Sequence, residues 1–326
     1  TFPSNKLELG LWLESERMLH PVIDQVGVDT QNEVVKEEKR QRYDAPYGKL
    51  LKVLNENLFK VHPYKDQNIG KMEHLDAATL EEFMAYHKTY YGPNNAVLIV
   101  AGDIDTEETI ELVKKYFDEV PRGNEVVRDF PKEEPITENI RAIAYDKNIQ
   151  IPMLLSSFRT PGFASRDSYV LDMISTYLSS GKSSVLYKKL VDDQKQALQT
   201  QVINLGQVDY NIFAILALPL GDISLDILLT EIEEEIEKVQ NELISERDHQ
   251  KLLNKFESQF VNSNSSIAGI ANSLARYYLL YGDVTLINKE IDIYRSITRE
   301  EIRSVAQKYL SSNQRVDIEY LPETGE

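Results

Sequence analysis

The chain contains no cysteine among its 326 residues, which excludes disulfides and thiolate metal sites together. That absence does not choose between cytoplasm and periplasm. Long hydrophobic runs are also missing: nothing approaches the roughly 18 consecutive apolar residues that a membrane-spanning helix needs. Basic residues are scarce, 36 lysines and arginines against 53 acidic residues, for a net charge of −17. This balance argues against a nucleic-acid partner, whose phosphates demand clustered lysine and arginine. It gives slight support to a basic or unstructured peptide partner, although acidic surfaces mostly serve solubility. Histidine is rare as well. His20, His62, His74, His87 and His249 are the complete set, and no two stand four apart. A helical histidine pair of the H-x-x-E-H kind is therefore excluded within these residues. The first residue is Thr1, and Thr1-Phe2-Pro3-Ser4 has neither the charged nor the apolar region of a secretory signal. A start at threonine suggests processing or a fragment, with any targeting segment upstream.

What is present suffices for ordinary cores, since 42% of the residues are hydrophobic. The length implies two domains of about 150 residues each. Helical spacing of Leu7, Leu9, Leu11 and Met18 predicts a first helix to about residue 20. Asp24 is placed to cap a second helix that carries Val34, Val35, Glu37 and Glu38. Pro46-Tyr47-Gly48 breaks it, residues 49–59 read as a third helix, and 62–70 as loop. Thr79 and Glu82 stand at capping-box spacing before a helix over 80–90. A Gly92-Pro93-Asn94-Asn95 turn follows, and the apolar run 96–101 predicts a buried strand. Thr106 is the expected cap of a helix ending at residue 117. Residues 121–138, rich in proline, glutamate and lysine, make the best linker candidate.

Beyond it, 140–145 and 153–158 read as strands, 166–179 and 183–191 as helices, and 198–205 and 212–218 as a strand pair. Helices are expected over 224–243, 247–262 and 267–280. Thr298 through Ile302 then repeats Thr79 through Phe83, Tyr309 repeats Tyr90, Asn313 repeats Asn94, and Val316 to Ile318 repeats Val97 to Ile99, all at one offset of 219 residues. A helix–turn–strand unit recurring at fixed offset across a linker argues for two copies of one fold. The expected organisation is a first domain over 1–125, a linker over 126–138 and a second domain over 139–326. The first copy is shorter at its front, which suggests that it has lost its beginning.

Taken locally, Glu37-Glu38 on a helix rich in lysine and arginine is a solvated face with i,i+4 charge pairs. The context adds to this. Leu7-Glu8-Leu9-Gly10-Leu11-Trp12 through Met18, Val34-Val35-Lys36-Glu37-Glu38, His62-Pro63-Tyr64, Ile69-Gly70, Tyr91-Gly92-Pro93-Asn94-Asn95-Ala96 and Gly102-Asp103 stand in order. Together with Tyr116-Phe117, Val120-Pro121 and Gly123, they resemble the insulinase/pitrilysin family of zinc metallopeptidases over residues 1 to about 125, and more diffusely beyond. The resemblance implies an α+β fold of two related domains, each a mostly antiparallel sheet packed against helices, the first truncated at its N-terminus.

It also implies that Glu38 is the third zinc ligand, with Gln31 two helical turns earlier where the family often has a glutamate. Glutamine can still hydrogen-bond there but supplies no charge. The two histidine ligands and the general base would lie roughly seventy residues upstream of Glu38, before Thr1, so this chain alone would be inactive and would not hold zinc tightly. His62 and Tyr64 are possible cleft-lining residues, with a surface position expected for His62 and packing for Tyr64. In two-subunit members a partner presents an arginine and a tyrosine after a helix like 183–191; Val191 and Gln199 stand at those places here. The implied whole is a peptidase acting on peptides or small proteins beside a homologous subunit. Periplasmic or otherwise exported, with cytoplasmic as the alternative, is the implied location. The competing reading is a non-catalytic structural or assembly subunit of the same fold. Gly181-Lys182-Ser183-Ser184 resembles the end of a phosphate loop, but Thr176 replaces its first glycine, and the stretch reads as a helix start.

Overall fold

The computed structural model describes residues 1–323. Among these the chain forms, in order, α1 (Leu7–Leu19), α2 (Gln25–Asp44), α3 (Leu50–Leu58), α4 (Met72–Ala77), α5 (Leu80–Tyr90), α6 (Thr106–Phe117), β1 (Ile140–Asp146), β2 (Met153–Pro161) and α7 (Arg166–Ser179). There follow β3 (Ala197–Leu205), β4 (Tyr210–Pro219), α8 (Leu225–Asn241), α9 (Glu246–Ser263), α10 (Ile267–Arg276), α11 (Leu286–Arg295), α12 (Arg299–Tyr309) and β5 (Arg315–Pro322). The fold is α+β, as expected. It divides into two compact units. The first comprises Thr1–Arg40, Ile69–Asp129 and Ser263–Ile287; the second comprises Gln41–Asn68, Phe130–Asn262 and the chain from Asn288. The units are discontinuous in sequence, so residues 41–68 group with the second unit although they precede residues 126–138.

The second unit holds a five-stranded sheet in the order β1-β5-β2-β4-β3. Only β1 and β5 pair parallel; the other neighbours are antiparallel. Helices cover both faces of its centre. On one face, Leu155, Ile212, Ala214, Val316 and Ile318 pack on Leu54 and Leu58 of α3 and on Phe59. On the other, Phe158 meets Phe213 edge-on at 6.3 Å, and Asn211 donates to Ser168 of α7 at 2.8 Å. Burial on both sides explains why β2 and β4 read as nearly unbroken apolar runs rather than alternating ones.

The internal repeat holds at the level of element boundaries. Leu80 and Arg299 begin α5 and α12, and Tyr90 and Tyr309 end them, each pair 219 residues apart. The 3-10 turns Pro93–Asn95 and Ser312–Gln314 keep the same offset. Thr79 accepts from the backbone of Glu82, whose carboxylate accepts in return from the Thr79 N–H at 2.9 Å; Thr298 accepts likewise from Glu301. Losing one such cap costs about 1 kcal/mol. Thr79→Ala should therefore speed amide exchange at Glu82 and Phe83 about fivefold while leaving α12 unchanged, read by hydrogen–deuterium exchange.

The copies part company after the turn. Residues 315–322 become β5, held between β1 and β2. Residues 96–101 pair with no strand among the described residues, and Leu98 is exposed. The expected buried strand is corrected here: an apolar run encodes the tendency, but a ladder needs neighbours that supply N–H and C=O partners. Asp105, not Thr106, caps α6 by accepting from Glu108 at 2.9 Å. The helix expected over 183–191 is largely a π-helical turn, Tyr187–Asp193. The helix expected to residue 280 becomes α10 followed by a π-helical turn, Tyr277–Tyr281, that ends at Gly282 with φ of 69°. The short α4 and α11 were not expected.

Candidate functional site

Both expected metal-side residues lie on α2, in the first unit. Three side chains fasten that helix to the segment that follows residue 69. Asn32 donates to the Leu75 carbonyl at 3.0 Å, Lys36 pairs with Asp76, and Lys39, only 8% exposed, donates to the Gly70 carbonyl. Positions 32, 36 and 39 share one face of a helix. Gln31 and Glu38 precede two of them by one residue each, so they lie together about 100° around the axis. Both are exposed. The helix thus has an anchored side and a solvent-exposed side, and the exposed side carries the amide and the carboxylate two turns apart.

Zinc needs about four ligands, and among the described residues no group of three or more histidines, cysteines, aspartates or glutamates gathers to hold a metal ion. One carboxylate cannot make such a site, so zinc does not fit the described residues by themselves.

His62 and Tyr64 belong to the second unit, and the expected surface position of His62 is corrected: it is 2% exposed. Its ring stands among Phe59, Tyr64, Phe130 and Tyr210, with centroids 4.3–6.2 Å away. Nδ1 accepts from the Tyr64 N–H at 3.2 Å. Nε2 lies 3.5 Å from Asp209, within ion-pair reach but outside hydrogen-bond geometry. Tyr64 packs edge-on against Phe59 at 5.6 Å, as expected of a packing residue, and its hydroxyl meets Asp209 at 3.4 Å. This is an aromatic core with one polar ring inside it.

Beneath it lies a network invisible to sequence reasoning. Glu133, within the expected linker, turns a carboxylate that is 2% exposed towards Arg159, 8% exposed, at 3.0 Å. The same carboxylate accepts from the backbone N–H groups of Lys60, Val61 and His62 at 2.7–2.8 Å. The segment has no regular structure, yet it is fixed by buried charge.

Of the two partner-side positions, Val191 is half-buried in the π-helical turn and Gln199 is exposed on β3. The β3 register slips between Ala197 and Gln199.

Across the described residues no helix is long and apolar enough to cross a membrane. A five-stranded, mostly antiparallel sheet clad in helices, with a repeated helix–turn unit, defines an α+β domain. Residues 77–256 match the family model described as the Peptidase M16 inactive domain, and the chain belongs to the M16 peptidase family. It is 27% identical over 291 residues to the zinc protease PqqE of Helicobacter pylori, covering 88% of this chain and 65% of that protein. The chain thus spans just under two thirds of that relative. It is also 23% identical over 272 residues to the probable mitochondrial-processing peptidase subunit beta of Arabidopsis thaliana, covering 80% of this chain and 50% of the other. Among solved structures, a protease from Helicobacter pylori superposes with a TM-score of 0.90 at 25% identity, covering 98% of this chain and 77% of that one. The first half of the periplasmic protease PqqL from Escherichia coli shares the fold, with a TM-score of 0.76 at 16% identity over 98% of this chain and 71% of that one.

Proposed function

We propose that the chain is part of a zinc metalloendopeptidase that hydrolyses peptide bonds, with Glu38 as the third zinc ligand. The histidine ligands and the general base come from residues outside 1–326, and this chain alone is inactive. The observation that carries the reading is the two-sided α2: Asn32, Lys36 and Lys39 fasten one face, and the other offers Gln31 and Glu38 outward. The zinc-protease naming of the relative PqqE supports it. Gln31 orients the Glu38 carboxylate or the substrate by hydrogen bonding, without adding charge.

The substrate is a peptide or small protein, and a homologous subunit supplies the arginine and tyrosine that Val191 and Gln199 do not. The subunit naming of the Arabidopsis relative supports a paired assembly. A periplasmic or otherwise exported location is supported by the periplasmic description of PqqL, with the cytoplasm as the alternative.

The test is metal affinity in the longest form of the protein. Glu38→Ala should cost at least the roughly 10–100-fold that outer-shell substitutions cost elsewhere, and Gln31→Ala should fall inside that range; chelator competition reads both. Zinc affinity and turnover unchanged by Glu38→Ala would overturn the assignment. A second reading, a non-catalytic structural or assembly subunit, is favoured by one observation: the matching family model is that of the inactive domain. It requires that the longest form bind no zinc at all.

A further inference from the structure

The second unit contains a pocket of about 580 Å³ walled by the C-terminal turn of α7, the turn after it, the π-helical turn, α8 and α9. In a chain of net charge −17, this pocket has five lysines against three carboxylates in its wall. Two of the lysines are neutralised. Lys189 is held by Glu231, Glu234 and Glu235, and Lys238 by Glu235. The other three, Lys188, Lys251 and Lys255, make no ion pair among the described residues.

Lys251 and Lys255 are instead turned onto hydroxyls. Lys251 donates to Ser183 Oγ at 2.6 Å, and Lys255 donates to Ser180 Oγ. A serine that accepts from an ammonium still has its own proton to give. Burial, reinforced by the neighbouring Lys251 charge, lowers the Lys255 ammonium below its ordinary pKa. The two other wall carboxylates, Asp193 and Asp248, form no ion pair with these three lysines among the described residues; neighbouring like charges are costly, and a bound anion relieves that cost.

No arginine lines the pocket, so it lacks the planar fork that grips carboxylates and phosphates alike in two parallel bonds. Lysine ammoniums act as point charges and, with hydroxyl donors, suit the tetrahedral oxygens of phosphate. The volume falls in the small-ligand range of roughly 300–1,000 Å³, larger than a single phosphate fills. Gly181, with φ of 83°, lies in the turn between Ser180 and Ser183, which meet Lys255 and Lys251 in turn. We propose that this pocket is a binding site for a small polyphosphate anion, held by Lys188, Lys251 and Lys255 with the hydroxyls of Ser180 and Ser183. The inference is independent of Glu38 and of any metal.

The test is calorimetric titration of the chain with tripolyphosphate at fixed ionic strength. One-to-one binding is expected, weakened roughly a hundredfold by the double substitution Lys251→Gln/Lys255→Gln, since each lost charge-assisted bond counts for about tenfold. Lys251→Arg/Lys255→Arg should recover most of it. Lys114→Gln, in the first unit and paired with Glu111, should leave it unchanged. A measurement on the unsubstituted protein guards against misfolded variants: tripolyphosphate should slow acetylation of Lys251 and Lys255 but not of Lys114. Absence of saturable binding, binding indifferent to the double substitution, or equal protection by sulfate or citrate at matched ionic strength would each overturn the proposal.

Discussion

Replacing Asp317 with alanine is expected to destabilise the sheet-bearing unit by about 3–5 kcal/mol, the usual cost of leaving one half of a buried ion pair behind. Asp317 sits on β5, between β1 and β2, and its side chain is 4% exposed, as is that of Arg315. The two are 2.8 Å apart. Ser156 on β2 donates to the same carboxylate at 2.6 Å, and Asn139 donates at 2.8 Å. Truncation therefore strands the Ser156 hydroxyl and removes the guanidinium's buried partner, while Asn139 keeps the Arg315 carbonyl at 3.3 Å. Glu233 on α8 still reaches Arg315 at 2.5 Å, which keeps the loss near the lower end of that range. Asp317→Asn retains the shape and an acceptor and should cost about 1–3 kcal/mol. If the ion pair is the cause, removing both partners should be far milder: Arg315→Met with Asp317→Leu should recover most of the loss. Urea titration followed by circular dichroism would measure all three. Equal destabilisation by the single and the double change would locate the effect in packing instead.

How much of this was legible in the sequence depended on how far apart the interacting residues are. Helix caps are local, and Asp24 and Thr79 each announce a helix that the structure contains. Strands 153–158 and 212–218 were legible because both faces of the central sheet are buried, which leaves unbroken apolar runs. The run 96–101 carries the same signal without becoming a strand, because pairing is a property of neighbours. The π-helical turns escape because their hydrogen bonds leave no distinct residue pattern. The placement of the site was less legible than the elements. Gln31 and Glu38 share a face by helical arithmetic alone, but the lysine that anchors the opposite side, Lys39, looks like one more surface charge. His62 looked like a loop residue and is buried by aromatic rings up to 148 positions away. Glu133, in a stretch rich in proline and glutamate, had the composition of a slack linker; only the fold shows that its carboxylate is enclosed.

That enclosed carboxylate leads to the second large effect. Glu133→Ala should also cost about 3–5 kcal/mol, because it leaves a buried guanidinium and three backbone donors without their acceptor. Arg159 is held on its other side by the Leu58 carbonyl at 2.7 Å and lies 5.5 Å from the Tyr210 ring centre. Burial lowers the Arg159 pKa, but arginine stays protonated in proteins, so both partners are charged. Burial alone would raise the Glu133 carboxyl; the N–H donors of His62, Val61 and Lys60, with the Arg159 charge, outweigh it and hold the carboxyl below its ordinary value. A carboxyl depressed in the folded state contributes stability that is fully present above its unfolded pKa, about 4.3. That contribution is lost as pH falls through the lower, folded value. The unit should therefore lose stability on acidification below about pH 4.3. Glu133→Gln, which cannot titrate, should be less stable at pH 7 and have a shallower acid dependence, by up to about 1.4 kcal/mol per pH unit. Denaturant midpoints measured from pH 3 to pH 7 for both proteins would decide it. Parallel curves would mean that other carboxylates set the acid limit and that Glu133 acts through geometry alone.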